Sequence, residues 1–471
     1  MKIVLLSALV FSIVRISLIS GAADWGYPYM NVRVLVDGAI IGDTYDSEIE
    51  QLNGICPGAF NWNAAGECSS VFVGVASIGN SFILSLPKRS NLKIERKDWV
   101  KTTAVLLFRT LLKYREENPI EAAVDEALSG GVGSRRLCVA FELLDDFGKS
   151  GLLEKYKTEE RVRATGNIAW KRTISRSQAL HSPSGVLYPK PYVRQRAYDE
   201  INQLRRIHAR IVTECYSLLG WMLDVEIPYE VRSIAAKEGP SEMLSFLERE
   251  KRRTYSEREL KLIALMQEFL LETAVDQGYA NASIFGTLNF DVVWEKACKI
   301  AFADKEILRC FTPQPKWHRK ETAVELVKAK RPRQVPDILA HREETLYVLD
   351  AKYYDVSVSL PGWHDIVKQI YYQDTAERMV KANSPLVEKY PVKQTVNAFL
   401  FPFDEEGEDD CLLVGNVDLP ELDDGNRWGN ITAYVVNTWG CLGCYVRNAP
   451  NEQWLRSIQL PNRKVLTEAD D

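Results

Sequence analysis

Apolar residues recur along this chain with two different periods. From residue 30 to about residue 90 they come in short runs, VRVLVDGAII and VFVGVASIGNSFILSLPK, separated by Gly and Asn, which predicts β-strands joined by tight turns. From residue 98 the period lengthens. DWVKTTAVLLFRTLLKYREEN carries Val100, Ala104, Leu107 and Leu111 at helical spacing, and PIEAAVDEALSG ends on a Gly stop. YDEINQLRRIHARIVTECYSLLGWML and SERELKLIALMQEFLLETAVDQGY read as two further long helices. Beyond residue 286 one helix precedes strands, another helix and more strands, the alternation of an α/β domain. The pattern thus predicts a hydrophobic segment over 1–29 outside the fold, a β-rich N-terminal domain over 30–97, a helical middle region over 98–285, and an α/β domain over 286–471.

The pattern breaks at LYVLDAK. A run such as Leu346-Tyr347-Val348-Leu349 belongs inside a sheet, yet Asp350 follows directly and Lys352 two residues later, although both types are rarely buried unless paired. Read as a hairpin turning at Glu343-Glu344, the segment sets Asp337 opposite Asp350, and the two-residue repeat of a strand puts Lys352 on the same face. Facing carboxylates repel unless a proton or a cation lies between them. A hard dication such as Mg²⁺ resolves the conflict; a buried ion pair of Lys352 with one Asp is the plainer alternative and leaves the second carboxylate unmatched. Glu-Glu is a poor turn dipeptide beside Asn-Gly, so a longer loop or a bulge would shift the register.

Composition bounds the class without naming it. With 471 residues, 46% apolar and 26% charged, the chain reads as ordinary globular protein in two or three domains, without collagen-like or disordered bias. A net charge of −5 gives no whole-chain sign of nucleic acid, but charge is unevenly spread. Residues 161–210 hold eleven Lys or Arg against Asp199 and Glu200, with Trp170, Tyr188 and Tyr192 interleaved, and the acidic run 404–410 is the counterweight. A basic block with aromatics is a candidate grip on DNA phosphates, with Lys171, Arg172, Arg176, Arg194 and Arg196 the residues named for it; a solvated face is the alternative.

Nine scattered cysteines fit free thiols in a reducing cytoplasm better than a disulfide framework, and the lone Cys441-x-x-Cys444 supplies half a zinc site, so a turn or strand-end role is expected for it. MKIVLLSALVFSIVRISLISGAAD has the outline of a secretory signal interrupted by Arg15, too short to span a bilayer, and Met30 offers a second start. GGVGSRR lacks the GK[ST] ending of a phosphate loop, no nucleophile elbow occurs, and the five His have no ligand spacing.

Pro336-Asp337 followed by Asp350-Ala351-Lys352 resembles the PD-(D/E)xK nuclease superfamily, and VPDIL with LYVLDAKYY is similar to the LlaJI family of restriction endonucleases and its McrC-type relatives. FVGVASIGNSFILSLPK, GNIAWKRTI and FDVVWEKAC look like further family segments, extending the similarity from about residue 70 to about 460. The resemblance implies a PD-(D/E)xK restriction-endonuclease-like core, a mixed sheet flanked by helices, that cuts double-stranded DNA at specific sites with Mg²⁺. It assigns the metal to Asp337 and Asp350, with Glu295 on the preceding helix as a ligand or a water-positioning group, and makes Lys352 the group that orients or deprotonates the attacking water. Gln369, or equally Gln373, is the glutamine that follows the second strand. Glu295 paired with Lys299 on an exposed helix face is the alternative for that residue. The resemblance also leaves open a nuclease subunit that works only with an NTPase partner, and it implies a cytoplasmic protein with no membrane association and a cognate DNA methyltransferase as a further partner.

Overall fold

The computed structural model describes residues 31–42, 47–78, 81–93, 96–119, 134–154, 156–163, 165–183, 185–198, 202–223, 225–275, 282–313, 335–382, 384–404, 410–417, 419 and 431–458. The hydrophobic segment 1–29, the GGVG stretch and most of the acidic run lie outside them. Among the described residues no helix is long and apolar enough to cross a membrane. The architecture is mixed α/β, divided into two compact units: residues 1–134 with 281–471, and residues 135–280.

Along the chain, β1 (Asn31–Val36), β2 (Ile40–Gly42), β3 (Phe60–Trp62), β4 (Cys68–Ser70), β5 (Val73–Ile78) and β6 (Ser81–Leu86) precede the helix Lys97–Glu117. In the middle come β7 (Tyr156–Val162), β8 (Asn167–Ile168), β9 (Leu180–Ser182), β10 (Gly185–Leu187) and β11 (Tyr192–Tyr198). The last group is β12 (Ala282–Thr287), β13 (Ile338–Arg342), β14 (Thr345–Ala351), β15 (Gln394–Phe403), β16 (Cys411–Val417) and β17 (Ile431–Asn437).

The expected separate N-terminal domain over 30–97 is not what the chain builds. Its sheet has the order β1-β6-β5-β12, and β12, from the far side of the middle region, pairs antiparallel with β5. Buried apolar residues of both strands, Val75 and Ile284 among them, need that cover, so the N-terminal strands fold with the C-terminal half. At the crossing, Gly74 faces Gly286. A Cβ on Gly286 would come within 2.4 Å of the Val73 carbonyl oxygen and 2.2 Å of the Phe72 ring, so only glycine allows the backbones this close.

The middle region departs from expectation as well. It is helical over Ser134–Ser150, Gln203–Leu219, Pro240–Lys251 and Glu257–Val275, but the basic block, besides the short helix Trp170–Arg176 and the start of Gln203–Leu219, supplies β8, β11 and the end of β7 to the sheet β7-β11-β8 and forms the hairpin β9-β10. Alternating YVRQRAY is a strand pattern that its arginines disguise. His208 lies fully buried here, its Nδ1 accepting from the Leu153 N–H at 3.1 Å, and burial pushes its pKa down to about 4, a packed histidine rather than a catalyst.

The C-terminal sheet has the order β13-β14-β15-β17-β16, with β14, β15 and β17 parallel and β13 and β16 antiparallel at the edges. Parallel strands buried on both faces read as continuous apolar runs, as TLYVLDA and QTVNAFLFPF do. Leu339, Leu346 and Val348 pack with Ala376 and Val380 of the helix Trp363–Ala382, which covers that face. Each fully buried Leu or Val side chain contributes roughly 1.5–3 kcal/mol. Past the sheet, the Tyr353 hydroxyl donates to Asp37 at 2.9 Å and accepts from the Lys88 N–H at 2.9 Å, tying the end of β14 to the loops after β1 and β6. Burial pushes Asp37 up to about 6, against the pull of Lys88.

Replacing Gly286 by Ala forces the β5–β12 crossing apart and should destabilise this unit by about 1–3 kcal/mol, as overpacked sites do. Thermal unfolding checks this; an unchanged Tm would show that the crossing can relax.

Candidate active site

The turn that brings the acidic residues together is Glu343-Glu344. Arg342 pairs with Thr345 and Ile338 with Leu349, which is the register of a two-residue loop, although Glu343 must adopt φ +53°, a conformation that costs a non-glycine residue energy. Continued by one residue, this register places Asp337 opposite Asp350. Asp337 sits just before β13, and its Oδ2 accepts from the Ala351 N–H at 3.1 Å. Asp350, like Leu346 and Val348, points to the face covered by the helix Trp363–Ala382.

Asp350 is 1% exposed, and its charge is matched twice. The Lys352 ammonium stands 2.9 Å from Oδ2 and the Lys368 ammonium 3.0 Å from Oδ1. Both distances are short enough for the ammonium groups to hydrogen-bond the carboxylate as well as neutralise it. Lys352 also contacts Asp365 at 2.6 Å. Burial works to lower the pKa of Lys352, but the hydrogen bonds it donates to Asp365 and Asp350 outweigh it, and the pKa is raised. Set between these two carboxylates, the Lys352 ammonium is placed to donate hydrogen bonds and to neutralise negative charge.

Asp337 responds in the opposite way. Burial first, then the nearby Asp350 and Glu295 carboxylates, push it up to about 7, against the pull of Lys368. Glu295, on the helix Phe290–Ala301, thus lies near enough to act on Asp337, and it also carries the ion pair with Lys299 that the sequence offered as its alternative. Among the described residues no three His, Cys, Asp or Glu side chains converge tightly enough to hold an ion by themselves.

Gln369 is fully buried on the helix Trp363–Ala382 and faces the sheet, its Nε2 donating to the Val348 carbonyl at 3.0 Å. Gln373, the other candidate, accepts from Asn397 of β15 at 3.0 Å. Both glutamines are used to seat the helix on the strands. Two residues that the sequence reading missed, Asp365 and Lys368, complete the cluster. Their signal was the helical spacing of Asp365, Lys368, Gln369 and Tyr372, which puts charge on the face turned toward Asp350.

In the other unit, Lys171, Arg172 and Arg176 are exposed on the helix Trp170–Arg176, and Arg194 is exposed on β11; Arg196 lies on the same strand. Strand pairing sets Arg194 opposite Glu160, just outside the basic window. Glu160 pairs with both Arg172 and Arg194 at 3.5 Å, so part of the block's charge is answered within the protein. Arg172 also lies over the Tyr192 ring, 5.0 Å from its centre. The Cys441 and Cys444 pair, expected in a turn, lies buried in the helix Thr438–Arg447, and Asp404, at the start of the acidic run, is buried and accepts from the Trp439 indole at 2.8 Å.

A curated relative, the type II restriction enzyme BsuMI component YdjA of Bacillus subtilis (strain 168), is 26% identical over 383 residues, 77% of this chain and 78% of its own. Two solved structures overlap slightly: a half-complex of Thermococcus gammatolerans McrB AAA+ hexamers with bound McrC, 13% identical over 89% of this chain and 99% of that one with TM-score 0.35, and the McrBC complex of the same organism, 16% identical over 56% and 85% with TM-score 0.23. Scores this low assign no fold. The family model described as LlaJI restriction endonuclease matches residues 72–432, well over half of the sequence, and the chain belongs to that family.

Proposed function

We propose that this restriction nuclease hydrolyses phosphodiester bonds of double-stranded DNA at specific sites with Mg²⁺, using a PD-(D/E)xK core centred on Asp337, Asp350 and Lys352. The Asp350 carboxylate carries the reading: it is fully buried at a strand end, met by two ammonium groups, and near enough to a second carboxylate, Asp337, to help raise its pKa. Two carboxylates brought together in a buried place repel unless a proton or a cation lies between them. Mg²⁺ is commonly bound by one or two carboxylates with water and phosphate completing the shell, so a two-carboxylate set without a third protein ligand fits it. Asp337 and Asp350 would hold the ion, and Glu295 would order a water beside Asp337.

Bound there, Mg²⁺ would lower the pKa of the attacking water and offset charge on the scissile phosphate. Lys352, fixed by Asp350 and Asp365, presents a compact cation to a non-bridging phosphate oxygen and stabilises the charge that grows on it. Gln369 keeps the carbonyl of Val348, and with it the end of β14, in register with the helix. In the other unit, Lys171, Arg172, Arg176, Arg194 and Arg196 would contact the DNA backbone, with Lys171 and Arg176 the more available because Glu160 engages Arg172 and Arg194.

A second reading has one observation behind it: the Bacillus relative is described as a component of its enzyme. Cleavage here would then wait on another protein, as in a McrC-like subunit of an NTP-dependent complex, with the NTPase and a DNA methyltransferase as separate chains.

Purified protein with plasmid DNA and Mg²⁺, without nucleotide, should give discrete fragments, and Asp350→Asn should reduce cutting by at least about 10³-fold while leaving the protein folded, since the metal supplies several kcal/mol. Undiminished cutting by Asp350→Asn would overturn the site. Wild-type protein that stays inert until a partner NTPase and GTP or ATP are added would establish the second reading instead.

Asp337 makes stability depend on pH. Its pKa is about 7 in the folded protein, above the roughly 3.9 of an unfolded Asp, so the folded state holds the proton more tightly and stability is lost as pH rises through that window. A divalent ion requires the ionised form, so Mg²⁺ should raise Tm more at about pH 8 than at about pH 6. Equal increments at both pH values would remove Asp337 from the metal site.

Lys171→Ala with Arg176→Ala should weaken binding to any DNA sequence and flatten the log–log salt dependence by about 0.9 in slope for each phosphate that is no longer neutralised. An unchanged slope would return the block to a solvated face.

A further inference from the structure

The two ammonium groups on Asp350 are not equivalent. Lys352 touches two carboxylates, Asp350 at 2.9 Å and Asp365 at 2.6 Å, and its side chain is 15% exposed. The side chain of Lys368 is 28% exposed, its one described carboxylate partner is Asp350 Oδ1 at 3.0 Å, and its ammonium also lies 5.6 Å from the centre of the Tyr372 ring. Lys368 reaches the site from a helix, on a flexible four-carbon stem with an open side toward solvent. Lys352 is fixed by its strand and by Asp365.

The charge balance gives that difference a use. Asp350 and Asp365 pair with Lys352 and Lys368, and Asp337, whose negative charge is resisted by burial, lies within the pull of Lys368. A dication brought to Asp350 adds positive charge next to both ammonium groups and repels them. Lys352 keeps Asp365 as a partner; Lys368 loses its one described ion-pair partner, and Asp337, the other carboxylate that acts on it, would be engaged by the same dication. A phosphodiester arriving with the ion offers the displaced ammonium an anion within its reach.

We propose that Lys368 is an exchangeable member of the nuclease site, which neutralises Asp350 in the metal-free protein, competes with the divalent ion for that carboxylate, and transfers to the scissile phosphate when metal and DNA are bound. This rests on the assignment of Asp350 as a metal-holding residue. It makes Lys368 a catalytic residue that opposes metal binding in the absence of substrate, a pairing of effects that a purely structural ion pair does not give.

The test uses the full chain and Mn²⁺ as the probe ion, with binding read by electron paramagnetic resonance or calorimetry without DNA. Lys368→Met keeps the aliphatic stem and removes the charge; it should bind Mn²⁺ about tenfold more tightly, since a like charge beside the ligand is gone, yet cut DNA at least about 10²-fold more slowly at saturating Mg²⁺, the scale of losing one placed donor. Lys368→Arg, with the charge restored, should recover weak Mn²⁺ binding. If Lys368→Met is folded by its melting curve and binds Mn²⁺ no more tightly than wild type, the competition is disproved; tighter binding with undiminished cutting disproves the transfer to phosphate. Asp350→Asn separates this from the underlying site: Mn²⁺ binding that survives that change shows that Asp350 does not hold the metal, whatever Lys368 does.

Discussion

Everything at the centre of this protein follows from one carboxylate at the end of a buried strand. Withdrawing an unpaired charge from water costs several kcal/mol, comparable with the gain from burying two or three aliphatic side chains of the same sheet. Asp350 is tolerated because two ammonium groups converge on it from different elements, Lys352 from its own strand and Lys368 from the covering helix. That requirement fixes how the helix must lie. Asp365 and Lys368 have to meet the end of β14, and the buried Gln369 and Asn397 side chains hold the helix to β14 and β15 so that they do.

The same constraint explains why the neighbouring carboxylate behaves differently. Asp337 has one backbone N–H and shares its surroundings with two other carboxylates, so its negative charge is resisted. The ammonium groups largely serve Asp350. The two neighbouring carboxylates thus differ in what surrounds them: Asp350 is met by two ammonium groups, and Asp337 is not. Lys352, by contrast, has two acids as partners, and they favour its charged form over the effect of burial.

The rest of this unit supports the strand end. Tyr353 and Arg89 tie the segment after Lys352 to the N-terminal part of the chain, through Asp37 and Asp355 respectively. The N-terminal sheet is in turn completed by β12, which leads directly into the helix bearing Glu295. Residues that are hundreds of positions apart therefore share one compact unit, and a disturbance at the Gly74–Gly286 crossing lies on the same framework as the carboxylates.

The sequence alone offered the hairpin at Glu343-Glu344 and a two-residue-loop register that the strand pairing from Ile338 to Thr345 follows, because these depend on a two-residue repeat across a short turn, where local geometry leaves little freedom. The apolar run of β14 and the helical spacing of Phe290, Val293, Trp294 and Ala297 were legible for the same reason. What only the tertiary structure decided is which distant groups answer the buried charges. Lys368 and Asp365 were visible as one helix face but not as partners of Asp350, since nothing local says which way a helix turns on a sheet. Glu160 lay just outside the basic window until strand pairing set it beside Arg172 and Arg194, and β12 joined the first sheet across more than two hundred residues. Charge and burial act through space, and a linear count of residues registers them only where the chain happens to return to itself nearby.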